Sequence, residues 1–203
     1  MIATRRWRAP RVPILVALVA FTVTCAAGAR GGGDPIPRGD PRGIACIGDS
    51  SAAGIYATHS WCERIGGTNF AREGATPTEA LAQLEALRSA RPAFVVAQIG
   101  ANGHGEPSHA LAHLLAETEA AVERWGGKLI VIDYPLTIWP EMRWKRELRA
   151  AVPAGVALVD PALPWYRIAA DHIHPTPLGH RDIAERLRPH LSRGPAAPTA
   201  VTR

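Results

Sequence analysis

A chain of 203 residues, 47% hydrophobic and 20% charged, is long enough for one sizeable core and too short for two ordinary domains. That balance excludes a disordered chain. The formal charge of +5 does not argue for a nucleic-acid partner: residues 1–29 hold Arg5, Arg6, Arg8 and Arg11 and no acidic residue, which leaves +1 on the remainder.

Those first residues have the three parts of a secretory signal: four arginines, an apolar run from Ile14 to Val23, and small residues ending Ala27-Gly28-Ala29. Residues 1–29 are therefore expected to be a signal peptide, with export to the periplasm or the medium. Anchoring is a lesser expectation. The run is shorter than the roughly 20 residues a membrane span needs, and Thr22-Val23-Thr24 fits a lipid-attachment signal at Cys25 poorly. Residues 30–42 read as a Gly/Pro-rich linker, 43–192 as the folded domain, and 193–203 as a disordered tail.

Within the domain, Ile44-Ala45-Cys46-Ile47 reads as a buried strand broken by Gly48-Asp49-Ser50. A helix is predicted over about 52–65, stopped by Gly66-Gly67, then a short strand over 68–71. Thr76-Pro77-Thr78-Glu79 offers helix-start chemistry ahead of Leu81, Leu84 and Leu87. Residues 93–99 form the clearest buried strand, followed by the turn Gly100-Ala101-Asn102-Gly103-His104-Gly105. Leu111, Leu114, Leu115, Thr118, Val122 and Trp125 make one helical stripe, and 129–132 and 156–159 are further strands around an Arg-rich helix. Thr176-Pro177 suits an N-cap with proline in the first helical position, opening a last helix to about Leu191. Short apolar strands alternating with helices define an α/β protein with a parallel sheet covered on both faces.

In such sheets ligands bind at the carboxyl ends of the strands. Ser50, Gly74, Asn102 and the Asp171–His174 loop all follow predicted strands and so fall on one edge. On its own stretch Ser50 reads as a helix cap at least as readily as a nucleophile. The other loops favour the nucleophile. Ser50 can attack a carbonyl, His174 can take its proton, and Asp171 can orient the imidazole. The backbone N–H groups of Ser50 and Gly74 and the Asn102 side-chain amide are candidate oxyanion donors.

In this order the blocks resemble those of the SGNH/GDSL hydrolases: Gly48-Asp49-Ser50, Gly74 in an Arg-Glu-Gly-Ala turn, Gly100-Ala101-Asn102, and Asp171-His172-Ile173-His174 before Pro175. The resemblance spans residues 43–191. It departs from the family pattern at Ser51, where leucine is frequent, and at Gly103, where aspartate commonly follows the asparagine. It implies a three-layer flavodoxin-like sandwich with a five-stranded parallel sheet, and esterase, lipase or thioesterase activity without metal or organic cofactor. The expected partner is a small-molecule or lipid ester substrate, lysophospholipids included; the oligomeric state is left open, with a monomer favoured. Acyl transfer or polysaccharide O-deacetylation on the same residues is the first alternative, and an inactive ligand-binding α/β module the second.

Other features carry weaker readings. His104 is a candidate substrate contact. His172 is an alternative base, disfavoured by its place beside Asp171. His109 and His113 are four apart on a predicted helix but lack the glutamate of a zinc-protease motif, so surface histidines are the expected reading. Trp139, Trp144, Trp165 and Tyr166 read as ordinary packing or as an acyl-binding wall. Arg143–Arg149 reads as a solvated helix face, with weak contact to a membrane surface as the sharper reading. Cys46 and Cys62 either form a disulfide, which export permits, or Cys46 is a small buried apolar residue.

Overall fold

The computed structural model describes residues 43–103, 106, 109–135 and 143–192. The signal peptide, linker and tail expected from the sequence, and with them His104 and Trp139, lie outside the described residues.

The elements run β1 (Ile44–Gly48), α1 (Ser50–Ala53), α2 (Trp61–Arg64), β2 (Thr68–Asn69), α3 (Pro77–Leu87), β3 (Phe94–Gln98), α4 (Ala110–Arg124), β4 (Lys128–Ile132), α5 (Arg143–Ala151), β5 (Ala157–Val159) and α6 (Pro177–Leu191). The five strands form one parallel sheet in the order β2-β1-β3-β4-β5. This is the flavodoxin-like order, whose switch point falls between β1 and β3. Among the described residues no helix is long and apolar enough to cross a membrane.

Alternation along the strands splits the core into two layers, because successive side chains point to opposite faces. Ala45, Ile47, Val95, Ala97, Leu129 and Val131 pack with Leu87, Leu114, Leu115 and Leu148 of α3, α4 and α5. Cys46, Val96, Ile130 and Ile132 pack with Trp61 of α2 and Ile183, Ala184 and Leu187 of α6. Both faces are covered, which explains why the central strands are continuous apolar runs.

The single helix expected over 52–65 is two short ones. Gly54 stops α1 in the left-handed conformation, with φ 79°, and hydrogen-bonds back to the Ser50 carbonyl. Ser60 then restarts the helix in a capping box with Glu63. The break brings Cys62 beneath β1, where it is bonded to Cys46 with the Cα atoms 6.1 Å apart. Of the two readings of these cysteines, the disulfide holds.

The helix starts follow the sequence. Thr76 caps α3 in a capping box with Glu79, and Pro77 occupies the first turn. Thr176 caps α6 by accepting the Gly179 N–H, again with proline, Pro177, in the first turn. The Arg-rich helix α5 has the expected solvated face, with Arg143, Arg146 and Arg149 exposed, and a second face that is not solvated. Lys145 and Leu148 are buried, and Arg149 pairs with Asp133 at 2.6 Å and Asp160 at 2.8 Å, tying α5 to the ends of β4 and β5.

Candidate active site

The site is built where β1 ends. Gly48 packs so tightly that a Cβ would lie 2.1 Å from the Gln98 carbonyl oxygen of β3, so no larger residue fits that backbone. Gln83 of α3 receives the Gly48 N–H on its Oε1 at 2.7 Å and donates to the Gly48 carbonyl at 2.9 Å. The side chain thus pairs with the strand end as a backbone neighbour would. Asp49 caps α1, its Oδ1 accepting the Ser51 N–H at 3.1 Å, and leaves Ser50 as the first helical residue.

Opposite Ser50 lies the loop before α6. Its stem is closed by an antiparallel bridge between Ile168 and Pro175 and by the Ala169 N–H donating to the His174 carbonyl at 2.7 Å. Asp171 Oδ1 accepts the backbone N–H groups of Ile173 at 2.9 Å and His174 at 3.0 Å. Its other oxygen is 2.6 Å from His174 Nδ1, and His174 Nε2 is 2.7 Å from Ser50 Oγ. With Nδ1 protonated toward the carboxylate, Nε2 is free to accept the serine proton. Burial opposes the Asp171 charge, but the bonds from the His174 ring and the two backbone N–H groups outweigh it and bring its pKa to about 2. The carboxylate is therefore ionised at neutral pH. His172 sits in the same loop with φ 61° and is exposed; it is the His174 ring that reaches the serine.

Asn102 follows β3 and shares a cleft of about 430 Å³ with Ser50, Ala101, Arg143, Trp144, Ile173 and His174. Its Nδ2 donates to the Ala75 carbonyl at 3.3 Å, which links the Asn102 loop to the turn that carries Gly74. Gly74 is exposed and has φ 74° with open space where a Cβ would sit, so conformation rather than crowding selects glycine there. Gly74 is not among the residues that line the cleft. Of the aromatic residues weighed as an acyl wall, Trp144 lines the cleft, whereas Trp165 and Tyr166 are 70% and 59% exposed on the surface.

A cavity of about 500 Å³ lies at the opposite strand edge, lined by Lys128, Leu129 and Ile130 at the start of β4 with Gly155, Val156 and Ala157 before and within β5. Among the described residues its lining holds no serine, threonine or cysteine, so size alone does not mark the reactive site.

Three neighbours were missed in the sequence. Tyr56 lies edge-on to the His174 ring, with centroids 5.5 Å apart and planes at 72°. Tyr134, just beyond β4, bonds Asp49 beneath the serine, and Gln83 holds Gly48. Tyr134 had a signal: the strand-edge rule that selected Ser50 and Asn102 applies equally to the residues after β4.

No protein-family model matches the chain, and no curated protein is significantly similar in sequence. Solved structures do match in fold. TesA aligns with a TM-score of 0.62 at 23% identity, over 73% of this chain and 97% of TesA. A GDSL-like lipase from Bacteroides thetaiotaomicron gives 0.60 at 15% identity, over 79% and 92%. An acetylxylan esterase from Geobacillus stearothermophilus gives 0.57 at 15% identity, over 79% and 99%. The chain shares its three-layer α/β fold with these proteins.

Proposed function

We propose that the chain is a serine hydrolase of the SGNH/GDSL family that cleaves carboxylic esters through an acyl-enzyme. The observation that carries this reading is the unbroken line from Ser50 Oγ through the His174 ring to Asp171, with contacts of 2.7 and 2.6 Å at the mouth of a cleft. The fold shared with lipases and esterases supports it.

As Ser50 Oγ bonds to the ester carbonyl carbon, its proton moves to His174 Nε2 and the carbonyl π electrons move onto oxygen. The Ser50 N–H and the Asn102 amide stabilise that oxyanion, while Gly74, which does not line the cleft, shapes the turn beside them. Asn102 has two amide hydrogens, so the bond to Ala75 leaves one for the substrate. Collapse breaks the bond to the alkoxy oxygen, which leaves with the proton from Nε2. Water then repeats the sequence on the acyl-enzyme and releases the acid. Asp171 keeps the Nδ1 proton in place and balances the imidazolium without taking the proton.

Export also belongs to this proposal. The N-terminal signal argues for it, and a buried Cys46–Cys62 bridge suits an oxidising compartment.

The test is labelling with a fluorophosphonate probe alongside turnover of p-nitrophenyl acetate. Wild type should label and turn over; Ser50→Ala should do neither, and His174→Ala should lose nearly all of both. Unchanged labelling of Ser50→Ala removes Ser50 as the nucleophile. A chain-length series of esters, with a lysophospholipid included, then defines the acyl group.

A further inference from the structure

The oxyanion donor proposed above stands on the half-buried loop that follows β3. Residue 103 is glycine, and the local backbone bond, from the Gly103 N–H to the Gly100 carbonyl, is long at 3.4 Å. Beneath that loop lies a polar cluster that catalysis as described does not use. Asp49 and Tyr134 are both completely buried. The Tyr134 hydroxyl donates to Asp49 Oδ2 at 2.5 Å. The Ala101 N–H, one residue before Asn102, points at both partners, 2.7 Å from the Tyr134 hydroxyl oxygen and 3.3 Å from Asp49 Oδ2.

Buried polar groups are costly unless satisfied, and satisfied networks fix geometry. Here each group's partner comes from a different strand end. Asp49 follows β1 and precedes the nucleophile, Ala101 follows β3 and precedes Asn102, and Tyr134 follows β4. On its open side the Tyr134 ring is stacked by Trp144 of α5, with centroids 4.8 Å apart and planes at 11°. Trp144 itself lines the cleft.

We propose that Tyr134, together with Asp49, is a positioning residue that holds the Asn102 amide in register with Ser50 by fixing the Ala101 N–H. Asp49 serves both sides: one oxygen sets the start of α1 through the Ser51 N–H, and the other sets the Asn102 loop. The brace replaces, from below, the anchoring that a side chain at 103 would give from the loop. The role rests on Asn102 acting as an oxyanion donor.

A double-mutant cycle tests it with p-nitrophenyl acetate on four proteins: wild type, Tyr134→Phe, Asn102→Ala and the double variant. Asn102→Ala should lower kcat by about 10²–10³. Tyr134→Phe, which deletes only the hydroxyl, should lower kcat by about 10- to 100-fold with KM little changed. In the double variant the Tyr134 change should add less than about threefold, because the group it positions is gone. An equal loss from Tyr134→Phe in both backgrounds, or wild-type kcat in Tyr134→Phe, overturns the brace. If Tyr134→Phe does not fold by circular dichroism, Asp49→Asn takes its place in the cycle with the same criterion. Wild-type turnover that is lost in Ser50→Ala, combined with no coupling, rejects the brace alone. Absence of both turnover and probe labelling in folded wild type rejects the reading of the site, and the brace with it.

Discussion

His180 Nδ1 accepts the Trp61 backbone N–H at 3.2 Å inside the core, joining α6 to the first residue of α2. Burial, with the nearby Arg64 and His174 adding to it, lowers the His180 pKa to about 4. An unfolded chain would bind a proton there from about pH 6.5 downward, while the folded one refuses it until about 4. Stability should therefore fall as pH drops from 6.5 to 4, by up to about 3 kcal/mol from this one site. Urea titrations at pH 7.5 and 4.5 measure it. His180→Asn, which keeps an acceptor but does not titrate, should lose less stability over that interval than wild type. Equal losses would remove His180 as the source.

The Cys46–Cys62 bridge joins a central strand to a four-residue helix whose Trp61 is also buried in the core. It closes a loop of sequence separation 16, for which chain entropy alone gives about 3 kcal/mol. Reduction, or Cys46→Ala with Cys62→Ala, should lower the melting temperature by several degrees. A melting temperature unmoved by dithiothreitol, with the thiols shown to be free, would count against that contribution.

How much of this could be read in the chain depends on whether the cause was local. The strands, the caps at Thr76 and Thr176 and the loops at the carboxyl edge follow from short-range pattern, and the sheet order follows the expected α/β logic. The break at Gly54 was not legible, because Ala52-Ala53 before it favour helix and the close packing of Ser60 against Gly54 comes from further along the chain. Arg149 and Lys145 read as surface charges, since their partners Asp133 and Asp160 belong to other elements. Tyr134 and Gln83 failed to register for the same reason. Their partners are 85 and 35 residues away in sequence, and no spacing rule links them.

Gly48 makes the sharpest prediction about the fold beneath the site. An alanine there would set its Cβ 2.1 Å from the Gln98 carbonyl oxygen and 2.9 Å from Ala52 Cβ, at φ 152°. Relief would require β1 and β3 to separate at the point where Asp49 N also bonds Gln98 O. Gly48→Ala should cost about 3 kcal/mol or more, seen as a lower urea midpoint or loss of soluble protein. A wild-type midpoint would mean that the strands yield there at little cost.

Tyr56 is 51% exposed, yet its ring edge meets His174, and Asp171, by hydrogen bonding and by charge, raises the pKa of its hydroxyl. An exposed residue in that position has little to do with core stability and much to do with access of water to the His174 ring. Tyr56→Ala should leave the melting temperature within about a degree while lowering kcat/KM several-fold. Tyr56→Phe, which retains the ring, should lose less. Equal activity in all three proteins would show that the edge contact contributes nothing to turnover.

Asp171 separates orientation from charge. The carboxylate holds the loop through Ile173 N and His174 N as well as the ring through Nδ1, so removing the side chain would disturb both. Asp171→Asn keeps the shape and one acceptor oxygen. If that oxygen stays on the backbone N–H groups, the amide NH₂ faces Nδ1, and the imidazole must carry its proton on Nε2, where it cannot accept from Ser50. With pKa about 2, the native carboxylate is charged across the whole assay range, so the comparison is not confounded by its titration. Turnover of p-nitrophenyl acetate at neutral pH should fall by up to about 10⁴-fold while the protein stays folded. A loss of tenfold or less in a folded variant would mean that Asp171 organises the loop without directing the His174 proton.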